Sequence, residues 1–366
     1  MLKRMVTLCC VLLLAGPAWG VTAEELIGQL NTTTGQKQFE AAVRLGSFRF
    51  PEVVSALAAR LDDKHTDVTV RAACATSLGK LNDPSSYAQI ETLAKKPDEM
   101  GRVRSSCVKS MAAMKGSDVI QDLVAMMKTE KSRLVRRTIE DTLGTMTDKQ
   151  RVSVAVTTAL EDETAAPSAI RVLGKVGGPG VIAPLAKQLD SPKASIRQAV
   201  IEALGNIYHP DVVPYLIKYY PKANDAEKGL ILSALGNHPH ADAMRLLIDE
   251  LMNTKAYPAL RRRAAHALGK LHAQHTIPVL VKVMLNTAEH TGLRLACVKA
   301  LGNFSDRDDA AIAGLIGALS DRRLAETAAL ELNRITKRFF GTDKQKWEDW
   351  FEKFRTQRDR RQRIGH

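Results

Sequence analysis

A ten-residue unit returns about every thirty residues along nearly the whole chain. It reads apolar–Arg–x–x–small–x–x–x–Leu–Gly. Copies include VRAACATSLG at 70–79, VRRTIEDTLG at 135–144, IRQAVIEALG at 196–205, LRRRAAHALG at 260–269 and LRLACVKALG at 293–302. Counted on the last position, the register runs Gly46, Gly79, Ala112, Gly144, Gly174, Gly205, Gly236, Gly269, Gly302 and Asn333, in steps of 30 to 33 residues. A fixed period of this size marks a solenoid of two-helix repeats, because one repeat cannot bury both its flanks alone. A length of 366 residues would otherwise suggest two or three globular domains, but a solenoid grows by stacking. The expected fold is therefore all-α, a right-handed α-solenoid of about ten two-helix repeats.

One repeat shows the plan. Val70, Cys74, Leu78 and Leu81 follow helical spacing and make one apolar face. Asn82-Asp83-Pro84 stops that helix, and Tyr87, Ile90 and Leu93 form the face of the next. Pro184, Pro214 and Pro278 fall near helix starts, where a missing N–H costs little. The residue before the register position is Leu, with Met111 the one substitute. The residue two after it is apolar, as in Leu81, Ile207, Leu271 and Phe304; His238 is the exception. Glycine inside a helix costs ~0.5–1 kcal/mol against alanine, so its recurrence predicts a close approach by a neighbouring helix.

The ends differ from the middle. Lys3 and Arg4, the apolar run from Met5 to Ala15, and Ala18-Trp19-Gly20 read as a signal peptide over residues 1–20, with Val21-Thr22-Ala23 a second cleavage site. The run is too short to span a bilayer. The expected product is a periplasmic or secreted protein that starts at Val21 or Glu24. Thr22-x-x-Glu25 is a capping box for the first helix. The repeats occupy 21–335. Residues 336–366 are expected to hold a capping helix, with Trp347, Trp350, Phe351 and Phe354 in one stripe, and a basic tail, RTQRDRRQR at 355–363.

Removing residues 1–20 deletes two positive charges and no negative ones, so the formal charge falls from +13 to +11. Export argues against nucleic acid as the basic chain's partner. Acidic proteins, envelope polymers or an anionic membrane surface remain. Cys74, Cys107 and Cys297 each fill the small-residue slot of the unit. Equivalent slots on stacked helices should lie ~8–10 Å apart, beyond the ~7 Å that a disulfide spans. They are expected to be buried and unbridged.

The unit resembles the HEAT-repeat superfamily, specifically the short HEAT-like repeats first named from phycobilisome lyases, over about residues 22–335. The resemblance implies that the Val-Arg helix is the second of each pair and lines the concave face. It also implies that the unit's Arg bonds an Asp in the turn between helices; Asp62, Asp190 and Asp321 stand at such turns. The segment ITKRFFGTDKQKWEDW is similar to an ending found on some exported bacterial HEAT-repeat proteins. Deoxyhypusine hydroxylases, enzymes of similar build, hold iron with His-Glu dipeptides; this chain has only the reversed Glu289-His290. Nothing identifies the bilin pocket of the lyases. There is no nucleophile elbow, phosphate loop, Cys-x-x-Cys or HExxH, so no catalytic residue, metal or cofactor is expected.

Two groups are candidate partner-binding residues. Arg71, Arg104, Arg136, Arg197, Arg261 and Arg294 stand eight positions before the register, with Lys228 in the same slot and Ala166 and Ala325 breaking the row. The row is either an intramolecular ladder or a basic groove whose planar forks would grip an acidic segment. Tyr215, Tyr219 and Tyr220 form the core of a cluster that includes Tyr208 and Tyr257, and tyrosine favours binding surfaces. His209, His238, His240, His272 and His275 fall in or near loops along one edge. The expected function is a non-enzymatic exported scaffold that binds a protein on its concave face. The alternative is attachment to an anionic membrane or envelope polymer through the basic tail.

Overall fold

The computed structural model describes residues 20–306 and 308–364, with side chains as far as Arg358. Residues 1–19 of the expected signal peptide lie outside the described residues. The chain divides into two compact units, one ending at Val176 and one beginning at Gly177. The division falls in the run 177–180, where Gly177 and Gly178 take φ of 66° and 86°, backbone that a residue with a Cβ adopts at a cost.

The first unit holds α1 (Ala23–Thr32), α2 (Gly35–Leu45), α3 (Pro51–Asp62), α4 (Val68–Leu81), α5 (Tyr87–Lys95), α6 (Gly101–Lys115), α7 (Ile120–Thr129), α8 (Arg133–Thr145), α9 (Lys149–Thr157) and α10 (Ala166–Val176). The second holds α11 (Ile182–Lys187), α12 (Ala194–Asn206), α13 (Val212–Tyr219), α14 (Asp225–Leu235), α15 (Ala241–Met252), α16 (Pro258–Leu271), α17 (Ile277–Leu285), α18 (Thr291–Gly302), α19 (Asp309–Ala318), α20 (Ala325–Thr336) and α21 (Lys344–Ile364). No strand occurs among the described residues. Every even-numbered helix carries one copy of the unit, and odd-numbered helices alternate with them. Within each unit successive motif helices pack on one another, as α4 does on α6 and α16 on α18.

The register is a packing rule. All ten residues preceding the register position, from Leu45 to Leu332, are fully buried. Gly46, Gly79, Gly205, Gly236, Gly269 and Gly302 each meet the residue two before the register on the next motif helix, whereas Gly144 meets Lys175. A Cβ on Gly79 would stand 2.9 Å from the Ser110 Cα, and one on Gly269 would stand 2.6 Å from the Ala300 Cα. Close approach is what the recurrence predicts. Ser77 and Ser110 use it, donating 2.8 Å hydrogen bonds to the Ala42 and Ala75 carbonyls. Cys74, Cys107 and Cys297 are buried and unbridged. Burial pushes each thiol up to about 12.

The expected caps are present. Thr22 accepts from the Glu25 N–H at 3.2 Å and donates its own N–H to the Glu25 carboxylate at 3.0 Å. At the other end α21 packs on α19. Trp347 is fully buried and donates from Nε1 to the Gly341 carbonyl at 2.8 Å. The basic segment is no separate tail: α21 continues through it to Ile364, and Arg355 and Arg358 both bind Asp309 of α19.

Candidate interaction face

The Arg row proves to be mostly interior. Arg71 donates from both terminal nitrogens to Glu99 at 2.9 and 2.8 Å, and from Nε to the Leu61 carbonyl at 2.8 Å. Arg104 repeats this with Glu130 at 3.1 and 2.5 Å and the Ala94 carbonyl at 3.0 Å. Arg261 repeats it with Glu289 at 2.7 and 2.6 Å and the Leu251 carbonyl at 2.9 Å. Arg294 binds Asp321 at 2.6 Å and the Met284 carbonyl at 2.7 Å. Arg197, half-buried, reaches Glu227 at 2.8 Å and the Ser191 carbonyl at 2.9 Å. Each Arg thus ties the end of the preceding helix to an acidic group of the following repeat.

These five were candidate partner-binding groups with an intramolecular ladder as the other reading of the row, and their guanidiniums are engaged within the chain. The turn-aspartate expectation is corrected. Of Asp62, Asp190 and Asp321, only Asp321 receives such a bond in the ladder; the other rungs use Glu99, Glu130, Glu227 and Glu289. Electrostatics agree with the geometry. The Arg261 guanidinium holds the Glu289 carboxyl below its ordinary value despite burial. At Glu99 burial pushes up, and Arg71 with the Met100 N–H overcomes it. Glu289 and His290, the reversed pair, are both in structural use: His290 caps α18 by accepting from the Gly292 N–H at 3.0 Å. Arg136 is the exception to the ladder, with no carboxylate partner among the described residues.

The tyrosines lie on other elements than the Arg row. Tyr215 and Tyr219 are on α13, an odd helix. Tyr219 is buried and donates to Glu227 at 3.0 Å, so it serves the Arg197 rung. Glu227 also closes a capping box with Asn224 at the start of α14. Tyr220 is buried, and burial followed by Glu250 pushes its hydroxyl up. Tyr215 remains partly exposed, on a 300 Å³ hollow shared with Lys187, Lys218 and Lys222. Tyr219 thus meets Arg197 at Glu227 inside the second unit, while Tyr215 faces the separate lysine-lined hollow. His238 is buried in the apolar slot, stacked on exposed Tyr208 at 6.4 Å. Among the described residues no three His, Cys, Asp or Glu side chains converge to hold a metal ion.

A different column is exposed. Three positions before the register, every motif helix exposes its side chain. In the first unit these are Val43, Thr76, Lys109, Asp141 and Arg171; in the second, Glu202, Ser233, His266, Lys299 and Leu330. At about 100° per residue this position falls on the side of the helix away from the buried positions nine, five and one before the register. That arithmetic could have found the column in the sequence. The repeating Arg drew attention first because it is charged and periodic. In the first unit the column borders a 530 Å³ hollow lined by Arg133, Arg136, Arg137, Glu140, Asp141, Arg171 and Lys175.

The family model described as HEAT repeats matches residues 23–102, 64–144, 154–236 and 244–333. No curated protein matches the chain in sequence. Among solved structures, Kap121p bound to Nup53p aligns with a TM-score of 0.58 at 13% identity, over 93% of this chain and 43% of that one. A Kap95p structure concerned with RanGDP aligns with a TM-score of 0.52 at 14% identity, over 89% of this chain and 50% of that one. The chain thus spans half or less of these two proteins, and the likeness is one of fold. Human deoxyhypusine hydroxylase aligns at 15% identity over 77% of this chain and 95% of that one; its TM-score of 0.31 is too low to carry an argument.

Proposed function

This chain belongs to the HEAT-repeat family, and from that premise we propose that it is a non-enzymatic exported scaffold that binds another protein across the exposed face of its motif helices. HEAT-repeat solenoids generally mediate protein interactions; the Kap121p structure was solved with Nup53p bound. The observation that carries the reading is the exposed column. Interior positions of the unit repeat the same residue types because packing demands it. The column position is exposed in all ten copies and changes chemistry from copy to copy, through apolar, hydroxyl, basic, acidic and imidazole groups. A surface under no packing rule that carries a non-repeating pattern suits recognition of one particular partner. Stacked helices present it already shaped, so little ordering is lost on binding.

Export remains part of the proposal through residues 1–20. Cleavage before Val21 would keep the Thr22–Glu25 box, whereas cleavage before Glu24 would remove it. N-terminal sequencing of the mature protein therefore should read Val21. The tail-anchored alternative is weaker, because Arg355 and Arg358 are engaged by Asp309.

The test is a photo-crosslinking amino acid placed at Thr76, Lys109, Glu202 or Lys299, with exposed Val154 and Lys282 on odd helices as controls. The expected result is one protein captured from column positions in the native envelope and not from the controls. Capture from Val154 or Lys282 alone would sink the assignment of the face.

A further inference from the structure

Five guanidiniums of the Arg row end on a carboxylate, and Arg136 does not. One Nη donates to the Glu130 carbonyl, while its Nε, closed off from solvent, has no acceptor. The reason is local. The Glu130 carboxylate already takes two bonds from Arg104 and one from the Ser132 N–H at 2.7 Å. In the loop that would supply the next acceptor, Asp162 is occupied by the Thr164 N–H at 2.9 Å and the Ala165 N–H at 3.0 Å.

Arg136 instead lines the 530 Å³ hollow between α8 and α10. Both carboxylates there are taken. Glu140 binds Arg171 at 2.9 and 2.6 Å, and Asp141 binds Lys175. Five cations less two carboxylates leave an excess of three positive charges, carried by Arg133, Arg136 and Arg137. Arg133 and Arg137 are exposed and form no ion pair among the described residues.

We infer that this hollow docks an acidic segment of a partner protein, its carboxylates meeting Arg133, Arg136 and Arg137. A partner's carboxylate beside Arg136 would take the place that Glu99, Glu130, Glu227, Glu289 and Asp321 fill at the other rungs. Arg forks match carboxylates bidentately, and partial burial strengthens such bonds. The 530 Å³ volume suits several side chains of a segment and far exceeds what a small inorganic anion fills.

This inference rests on the scaffold reading and names the chemistry of its partner. It is tested by anisotropy with a short labelled peptide of Glu and Leu, a Lys-and-Leu peptide as control and inorganic phosphate as competitor. Wild type should bind the acidic peptide, more weakly as salt rises. The triple variant Arg133→Gln/Arg136→Gln/Arg137→Gln should lose on the order of tenfold or more in affinity. Arg133→Gln/Arg137→Gln, both at exposed positions, serves should the triple variant misfold, and Arg262→Gln/Lys270→Gln on α16 should change nothing. Equal peptide binding by wild type and the Gln variants overturns the inference. So does phosphate binding in the hollow without peptide binding. If the peptide ignores the hollow while column crosslinks still capture a protein, the inference falls and the scaffold reading stands; if both fail, both fall.

Discussion

At the scale of single residues the informative case is His238, an imidazole in a slot that is otherwise apolar in every copy. It is 3% exposed, and its Nε2 has no hydrogen-bond partner. Burial, then the neighbouring His240, pushes its pKa below the ordinary 6.5. The unfolded chain therefore binds this proton more readily than the folded one. The stability that neutral His238 contributes is complete above about pH 6.5 and is lost as pH falls through the lower folded value. His238→Leu should flatten the fall of Tm between pH 7 and pH 5, and should raise Tm at pH 5, since it also removes an unsatisfied buried nitrogen. A variant whose Tm tracks wild type across that range would show that the slope comes from other groups. In the sequence His238 is both the exception in the apolar slot and a member of the loop-edge histidines, and its burial shows that the slot decides. The Arg row was legible as a row and illegible as to purpose. Its acceptors lie 26 to 30 residues ahead and keep no fixed register, so no pattern in one sequence pairs Arg71 with Glu99 or Arg197 with Glu227.

At the scale of helices the sequence was close to sufficient. The unit places every motif helix, the prolines and Asn82 mark starts and stops, and Asn82 ends α4 in the left-handed conformation with φ 55°. What a one-dimensional pattern does not contain is depth: it does not say that the aromatic stripe and the basic run would be one helix held by Asp309. The glycines give the sharpest prediction at this scale. In an unconstrained helix Gly→Ala would stabilise by ~1 kcal/mol. At Gly269 the new methyl would meet the Ala300 backbone, with its Cα at 2.6 Å and carbonyl oxygen at 2.9 Å, and backbone in a packed helix has no rotamer to yield. Overpacking of this kind costs ~1–3 kcal/mol, so the clash should outweigh the propensity. Gly269→Ala is expected to lower stability in urea unfolding by roughly 1–2 kcal/mol. A stabilised variant would mean that α16 and α18 can slide apart freely.

At the scale of the molecule a repeat stack differs from a globular core in how damage travels. Each repeat touches only its neighbours, so stability is a sum of local and nearest-neighbour contributions. The Arg rungs are one physical form of that coupling, since each bonds the previous helix and the next loop. Arg294→Met removes the partner of Asp321 and of the Met284 carbonyl. Breaking a buried pair costs ~3–5 kcal/mol when one charge is left behind, although Asp321 is partly exposed and water should recover some of that. Hydrogen exchange should accelerate in α17 and α18 and around the α19–α20 loop, which this rung joins, and stay unchanged in α4 and α6. Replacing the carboxylate as well, in Arg294→Met/Asp321→Leu, should restore much of the lost protection, because an apolar pair leaves no uncompensated charge. Exchange that rises equally along the whole chain would show a single cooperative unit and would contradict the nearest-neighbour account. Local damage would explain how the exposed column can vary freely from repeat to repeat: a change at Lys299 or Glu202 alters the surface offered to a partner without passing through the rungs that hold the stack.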